Sequence, residues 1–189
     1  DNSIAATASR NTVNSGSSSK SVNAKFVLKQ ISPSFGSQSH YVSLAWTADK
    51  SVLALAYETS IYLIDTKKLK VVKQLPNIAG APVRGLAFAQ SGLVVLDKTR
   101  LTVFDLVSYT LSWAIVLKSP QHGARLLAVD PHSNRFALAV NYWTPQYRVN
   151  AKIVQMSTSS PVPLNTYVHG YAVSAIDLIP GTKSYCFID

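Results

Sequence analysis

A period of about forty residues constrains this chain more than anything else in it. Val42-Ser43-Leu44-Ala45-Trp46, Arg84-Gly85-Leu86-Ala87-Phe88 and Arg125-Leu126-Leu127-Ala128-Val129 share one pattern, and their alanines stand 42 and 41 residues apart. Each phrase is followed by a polar turn (47–50, 90–92, 130–134) and a second apolar run, Leu53–Ala56, Leu93–Leu96 and Phe136–Val140. A third run ends in Tyr62-Leu63-Ile64-Asp65 and again, 40 residues on, in Thr102-Val103-Phe104-Asp105. A fourth, more polar run follows at Lys70–Leu75 and at Leu111–Leu117. Short runs rich in Val, Leu, Ile, Phe and Tyr, cut by turn residues and never spaced like a helix, predict strands. A unit that returns at a fixed period cannot bury its apolar face alone, so its copies must stack on one another.

Four strands every 40 to 42 residues is the period of a WD-type propeller blade. The Ile64-Asp65 and Phe104-Asp105 pairs stand where such a repeat carries Trp-Asp. Ser39–Trp46 resembles its His-led first strand, and Asp130–Asn134 resembles its Ser-Pro-Asp-Gly turn. Residues 24–189 therefore resemble a degenerate WD-repeat β-propeller, all-β, with blade units at about 40–75, 83–117, 124–168 and 173–189, the last incomplete. Val140–Tyr147 is expected to interrupt the second and third strands of the third unit. Propellers close with roughly four to eight blades. About three and a half to four are readable here, so the expectation is part of a larger ring, completed elsewhere in a longer chain or by another chain.

Residues 1–23 have a different texture, with seven Ser and four Asn and almost no large apolar side chains. Such a segment buries too little to offset chain entropy. It reads as a flexible linker or surface loop, or as a phosphorylated or partner-binding arm. The whole chain is 47% apolar and 14% charged, which excludes a wholly disordered protein. No apolar run is long enough to span a membrane as a helix, and no secretory leader is visible, though the chain does not start with Met. The absence of Asn-x-Ser/Thr sequons and the single Cys argue for an intracellular setting.

Catalytic chemistry has no foothold. His40, His122, His132 and His169 are scattered, none at metal-ligand spacing, and read as structural. Asp65 and Asp105 recur at one repeat position in adjacent units, so they read as turn caps and not as a catalytic pair. No nucleophile elbow, P-loop or dinucleotide fingerprint occurs, and Cys186 reads as an inert core thiol. No catalytic residue, metal ligand, cofactor or small-molecule substrate is expected. Trp46, Phe88, Phe104 and Trp113 recur at strand positions and are expected to pack between blades. Tyr142, Trp143 and Tyr147 cluster in the interruption, where they either fold back on their own blade or form a protein or RNA contact.

Charge carries most of the functional signal. Eighteen Lys and Arg against nine Asp and Glu give +9, which favours an anionic partner. Lys67, Lys68, Lys70 and Lys73 fall within seven residues, across a turn and an outer strand. They are either a solvated strand edge protected from pairing or a binding surface. Arg84, Lys98, Arg100, Lys118 and Arg125 fall at turns that share the opposite rim of a propeller, where they would hold a phosphate backbone or an acidic peptide. Nothing encodes base-specific readout.

One closer likeness is carried by Gly92–Val107 followed by Leu111-Ser112-Trp113. This stretch is similar to the later-propeller blades of the tandem-propeller WD subunits in the UtpA subcomplex of the small-subunit processome, over residues 40–140. The missing Trp-Asp dipeptides suit a divergent member. The resemblance implies a nucleolar, non-catalytic scaffold that acts with other WD-repeat proteins on pre-ribosomal RNA in early 18S maturation. The competing readings are a docking propeller in a nuclear-pore, vesicle-coat or ubiquitin-ligase complex without RNA, and a propeller hydrolase or lectin.

Overall fold

A computed structural model describes residues 42–57, 60–76, 82–97, 99–117, 125–146, 148–179, 182 and 184–188, with backbone alone at 42 and 125. Residues 1–23 and the strand expected at Phe26–Leu28 lie outside the described residues. Three four-stranded antiparallel sheets follow one another along the chain. The first is β1 (Val42–Trp46), β2 (Val52–Tyr57), β3 (Ser60–Asp65) and β4 (Lys70–Leu75). The second is β5 (Val83–Phe88), β6 (Gly92–Asp97), β7 (Arg100–Asp105) and β8 (Leu111–Val116). The third is β9 (Arg125–Val129), β10 (Arg135–Trp143), β11 (Val149–Ser157) and β12 (Ser160–His169). A two-stranded sheet follows, β13 (Ala175–Leu178) with β14 (Tyr185–Ile188). Among the described residues there is no helix, and so none that could cross a membrane.

The sheets are copies in register, not only in number. Trp46 pairs with Leu53, Phe88 with Leu93, Val129 with Phe136 and Leu178 with Tyr185. In the first two sheets the outer strand carries one extra residue at the same place. Leu63 and Ile64 face Lys73 and Val71, skipping Val72, and Val103 and Phe104 face Trp113 and Leu111, skipping Ser112. Such a bulge bends the edge strand and raises its local twist. In the third sheet the irregularity is wider, because Pro161 and Pro163 have no N–H to give the ladder between Ser160 and Asn165.

Inner strands stack in chain order, β1 on β5, β5 on β9 and β9 on β13. The second and third sheets each pack one face on the sheet that follows and the other on the sheet before it. Ala45, Ala54 and Ala56 receive Phe88, Leu93 and Phe104. Val94, Leu96 and Val103 receive Phe136, Leu138 and Met156. Ala128 and Ala137 receive Leu178 and Tyr185. Ala45 and Ala128, which mark the repeat in the sequence, are thus packing slots for the next blade's bulk.

Polar groups at the turns lock the second and third blades together. The Asn134 side-chain oxygen accepts from the Ser91 N–H (2.9 Å) and hydroxyl (2.7 Å), and the Ser133 carbonyl accepts from the Gln90 N–H (2.9 Å). Trp113 stacks on Phe136 at 6.2 Å and donates its indole N–H to the Thr158 carbonyl at 2.7 Å. Gly92 allows a close approach at this contact: a Cβ there would stand 3.0 Å from the Thr158 methyl and 3.1 Å from Val103, so these neighbours would have to give.

Three expectations are corrected here. Trp46 is 51% exposed, because it lies on the face of the first blade that, in the next two, is covered by the preceding sheet. Cys186 is exposed, since in β14 Tyr185 and Phe187 turn toward the third blade and Cys186 turns away. Val140–Trp143 does not interrupt the third blade. β10 runs through it, pairing Asn141 with Ala151 and Trp143 with Val149, and the hairpin is closed by the Thr144 N–H on the Arg148 carbonyl. Asn141 is tolerated in a buried strand because its amide donates to the Val173 carbonyl (2.8 Å) and accepts from the Val173 N–H (2.9 Å).

Candidate functional site

The Lys67–Lys73 segment is a hairpin built around one carboxylate. Asp65 ends β3 and its Oδ1 accepts the backbone N–H groups of Lys67 (2.9 Å) and Lys68 (2.8 Å). Leu69 then takes a left-handed φ of 52°, and the chain returns as β4. The second blade repeats the turn: Asp105 accepts from Val107 (2.9 Å) and Ser108 (2.7 Å), and Tyr109 has φ 54°. In the first blade this geometry leaves Lys67, Lys68, Lys70 and Lys73 all exposed. Lys68 approaches Asp65 at 3.8 Å, the only salt bridge among the described residues. Four ammonium groups against one carboxylate leave this hairpin strongly positive, a surface suited to a polyanion.

The opposite-rim set is only partly visible. Arg84 is exposed near the start of β5, and Arg100 is half-buried at the start of β7. The pairings Val83 with Asp97 and Leu96 with Leu101 put them at one end of the second blade. Lys98 and Lys118 lie outside the described residues, as do His40, His122 and Tyr147. Arg125 belongs to β9, its backbone paired with Val140. Between the two arginines sits Asp97, a buried residue that sequence reasoning passed over. Its Oδ1 accepts from the Thr99 N–H and hydroxyl and from the Arg100 N–H. The signal was present: Asp97-Lys98-Thr99-Arg100 has the spacing of Asp65-Thr66-Lys67-Lys68, an acceptor two and three residues before the N–H groups it takes.

The aromatic pair at the tip of the third blade divides. Trp143 is 51% exposed at the end of β10, while Tyr142 is half-buried beside the second blade. His169 joins a ring cluster with Tyr167, Tyr171 and Phe187, its centroid 4.7 Å from that of Phe187, and His132 is exposed in a turn. Among the described residues no three His, Cys, Asp or Glu side chains gather as a metal site.

Turn hydrogen bonds set the acidity of three aspartates. Asp49 is lowered to about 2, chiefly by the Thr47 hydroxyl and then by the N–H and hydroxyl of Ser51. Asp65 is lowered chiefly by the Lys68 N–H, and Asp105 chiefly by the Ser108 N–H. A carboxylate held below its unfolded value, near 4, contributes its full stability above that value and loses it as pH falls through the folded one. The melting temperature is therefore expected to fall between about pH 4 and pH 2, and Asp49→Asn to flatten part of that fall in a pH series of thermal melts. An unchanged pH profile in the variant would count against this role for Asp49.

No protein-family model matches this sequence, and no curated protein matches it. Solved structures do. The β-propeller domain of Cps50 (Swd1) from Myceliophteria thermophila superposes with a TM-score of 0.62 at 13% identity, over 87% of this chain and 55% of that one. Hydrazine synthase of Kuenenia stuttgartiensis gives a TM-score of 0.54 at 14% identity, over 71% and 39%. The chain thus spans about half or less of the structures it matches. At such identities the likeness speaks for fold alone. With the register above, it makes the chain an all-β protein of β-propeller blades. Among the described residues three of these blades are four-stranded.

Proposed function

We propose that this chain is a non-catalytic docking propeller that works within a ribonucleoprotein assembly, in small-subunit ribosome biogenesis. The observation that carries the reading is the exposed lysine hairpin Lys67–Lys73, four cations answered by one carboxylate on a chain of net charge +9. The resemblance of residues 40–140 to UtpA-type subunits supplies the particular assembly, with WD-repeat scaffold proteins and pre-ribosomal RNA as partners and the nucleolus as the compartment. Backbone phosphates are the expected ligand, with no base readout. The rim set Arg84, Lys98, Arg100, Lys118 and Arg125 is the second surface in the same reading.

Binding of this chain to a labelled single-stranded RNA, measured across a salt series, tests it. Each phosphate contact on a single strand contributes about 0.7 to the slope of log K against log salt. Replacing Lys67, Lys68, Lys70 and Lys73 by Glu is expected to weaken binding at least about tenfold and to reduce the slope by about 2–3. An unchanged slope would remove the hairpin from the interface, and reversal of the rim cations without effect would remove the rim. Purification of the protein from cells with and without RNase separates the alternative, a docking propeller free of RNA, for which coat, pore or ligase subunits would co-purify and RNA would not.

A further inference from the structure

The wedge between the second and third blades is not filled to its outer edge. Near Phe136 and Trp113 the two sheets are in full contact. Toward the ends of β8 and β10 they part, leaving an open groove of about 380 Å3. One wall is Ile115 and Leu117, which turn from the end of β8 toward the third blade. The other is Leu138 and Val154, with Pro163 of β12 at the outer side. Pro163 is exposed, so the groove has an apolar lip in water. The volume is at the lower end of ligand sites, about 300–1,000 Å3, and holds a few side chains and not a folded domain.

The polar groups of this groove are few and of one sign. Lys152 lines it and is exposed, on the pairing row Val140–Lys152–Val168. Its neighbours in β11, Ala151 and Ile153, turn to the other face and are buried, so Lys152 is held on the groove side by strand alternation. It makes no salt bridge with any described residue. A cation at the mouth of an apolar slot is complementary to a carboxylate attached to aliphatic side chains, and the net charge of +9 favours the same partner at longer range.

We infer that this inter-blade groove binds an extended peptide segment of a partner protein, with aliphatic side chains between Leu117 and Val154 and an acidic side chain on Lys152. The site is separate from the lysine hairpin, so its fate does not depend on RNA binding.

Fluorescence anisotropy of the full 189-residue chain tests this. The probe is a fluorescein-labelled hexapeptide with Leu at its second and fourth positions, Asp at its sixth, and Ser elsewhere. Saturable binding in the micromolar to submillimolar range is expected. It should weaken at least about tenfold for Lys152→Glu, for Pro163→Asp, and for a peptide with Ser in place of both Leu. The peptide with Lys in place of Asp should bind Lys152→Glu better than the parent chain, a rescue that misfolding cannot produce. Both substituted residues are exposed, so both variants should fold. No saturable binding, equal binding by the variants, absence of the charge-swap rescue, or full competition by single-stranded RNA would each overturn the assignment.

Discussion

Replacing Phe136 with alanine is expected to lower the stability of the chain by about 3–5 kcal/mol. The side chain has no exposure, stacks on Trp113 at 6.2 Å and lies in the cluster formed with Val94, Leu96, Leu101, Val103 and Met156. Those contacts come from two blades, so the cavity would open at the seam between them, where neither sheet can collapse without moving the other. The loss also reaches Trp113, whose ring is placed by the stack and whose N–H reaches the Thr158 carbonyl. Phe136→Leu keeps more of the volume and should cost less than half as much. Denaturant unfolding of the two variants against the parent chain measures both values. A loss below about 1 kcal/mol for Phe136→Ala would mean that the seam carries little of the stability.

The second large effect is expected at Asn141, where Leu in its place removes both bonds to Val173 at once. Val173 is buried, and an N–H and a carbonyl left without partners there cost about 1–3 kcal/mol each. The total is about 2–6 kcal/mol, concentrated where the chain enters β13. Hydrogen exchange should therefore quicken in β13 and β14 while β5–β8 keep their protection. Asn141→Asp separates geometry from chemistry. It keeps an acceptor for the Val173 N–H but sets a carboxylate against the Val173 carbonyl. It should be worse at neutral pH than in mild acid, where the protonated group can donate. Equal exchange throughout the chain would show that the clamp does not hold the last sheet.

Much of this was legible in the sequence because the repeat is physical. Ala45 and Ala128 fall at one strand position since the next blade needs room there, and Asp65 and Asp105 recur since the same turn needs the same acceptor. Periodicity gives position along a blade but not which face has a neighbour. Trp46 therefore looked like Phe88, although the first blade leaves that face uncovered, and Cys186 looked buried between two aromatic residues that both turn the other way. Asn141 looked like a break because a polar residue in an apolar run has no visible partner until the chain comes round 32 residues later. Asp97 was hidden for the opposite reason, since its partners are so close in sequence that the segment reads as an ordinary charged turn. Lys152 alternates with apolar neighbours like any surface residue of a strand, and only the gap between two sheets distinguishes it.

The stacking of inner strands in chain order also sets a schedule for synthesis. All four strands of the first sheet, Val42 to Leu75, precede every residue of the second, Val83 to Val116. A ribosome adds roughly 5–20 residues per second, so each finished sheet waits about 2–8 s for the surface that covers it. During that interval Ala54, Ala56 and Leu63 have nothing from the second blade to pack on, and the same wait returns for Val94, Leu96 and Val103 one blade later. A nascent chain of this design is apolar on its leading face at every stage of growth, and the small size of the alanines keeps that face shallow while it waits.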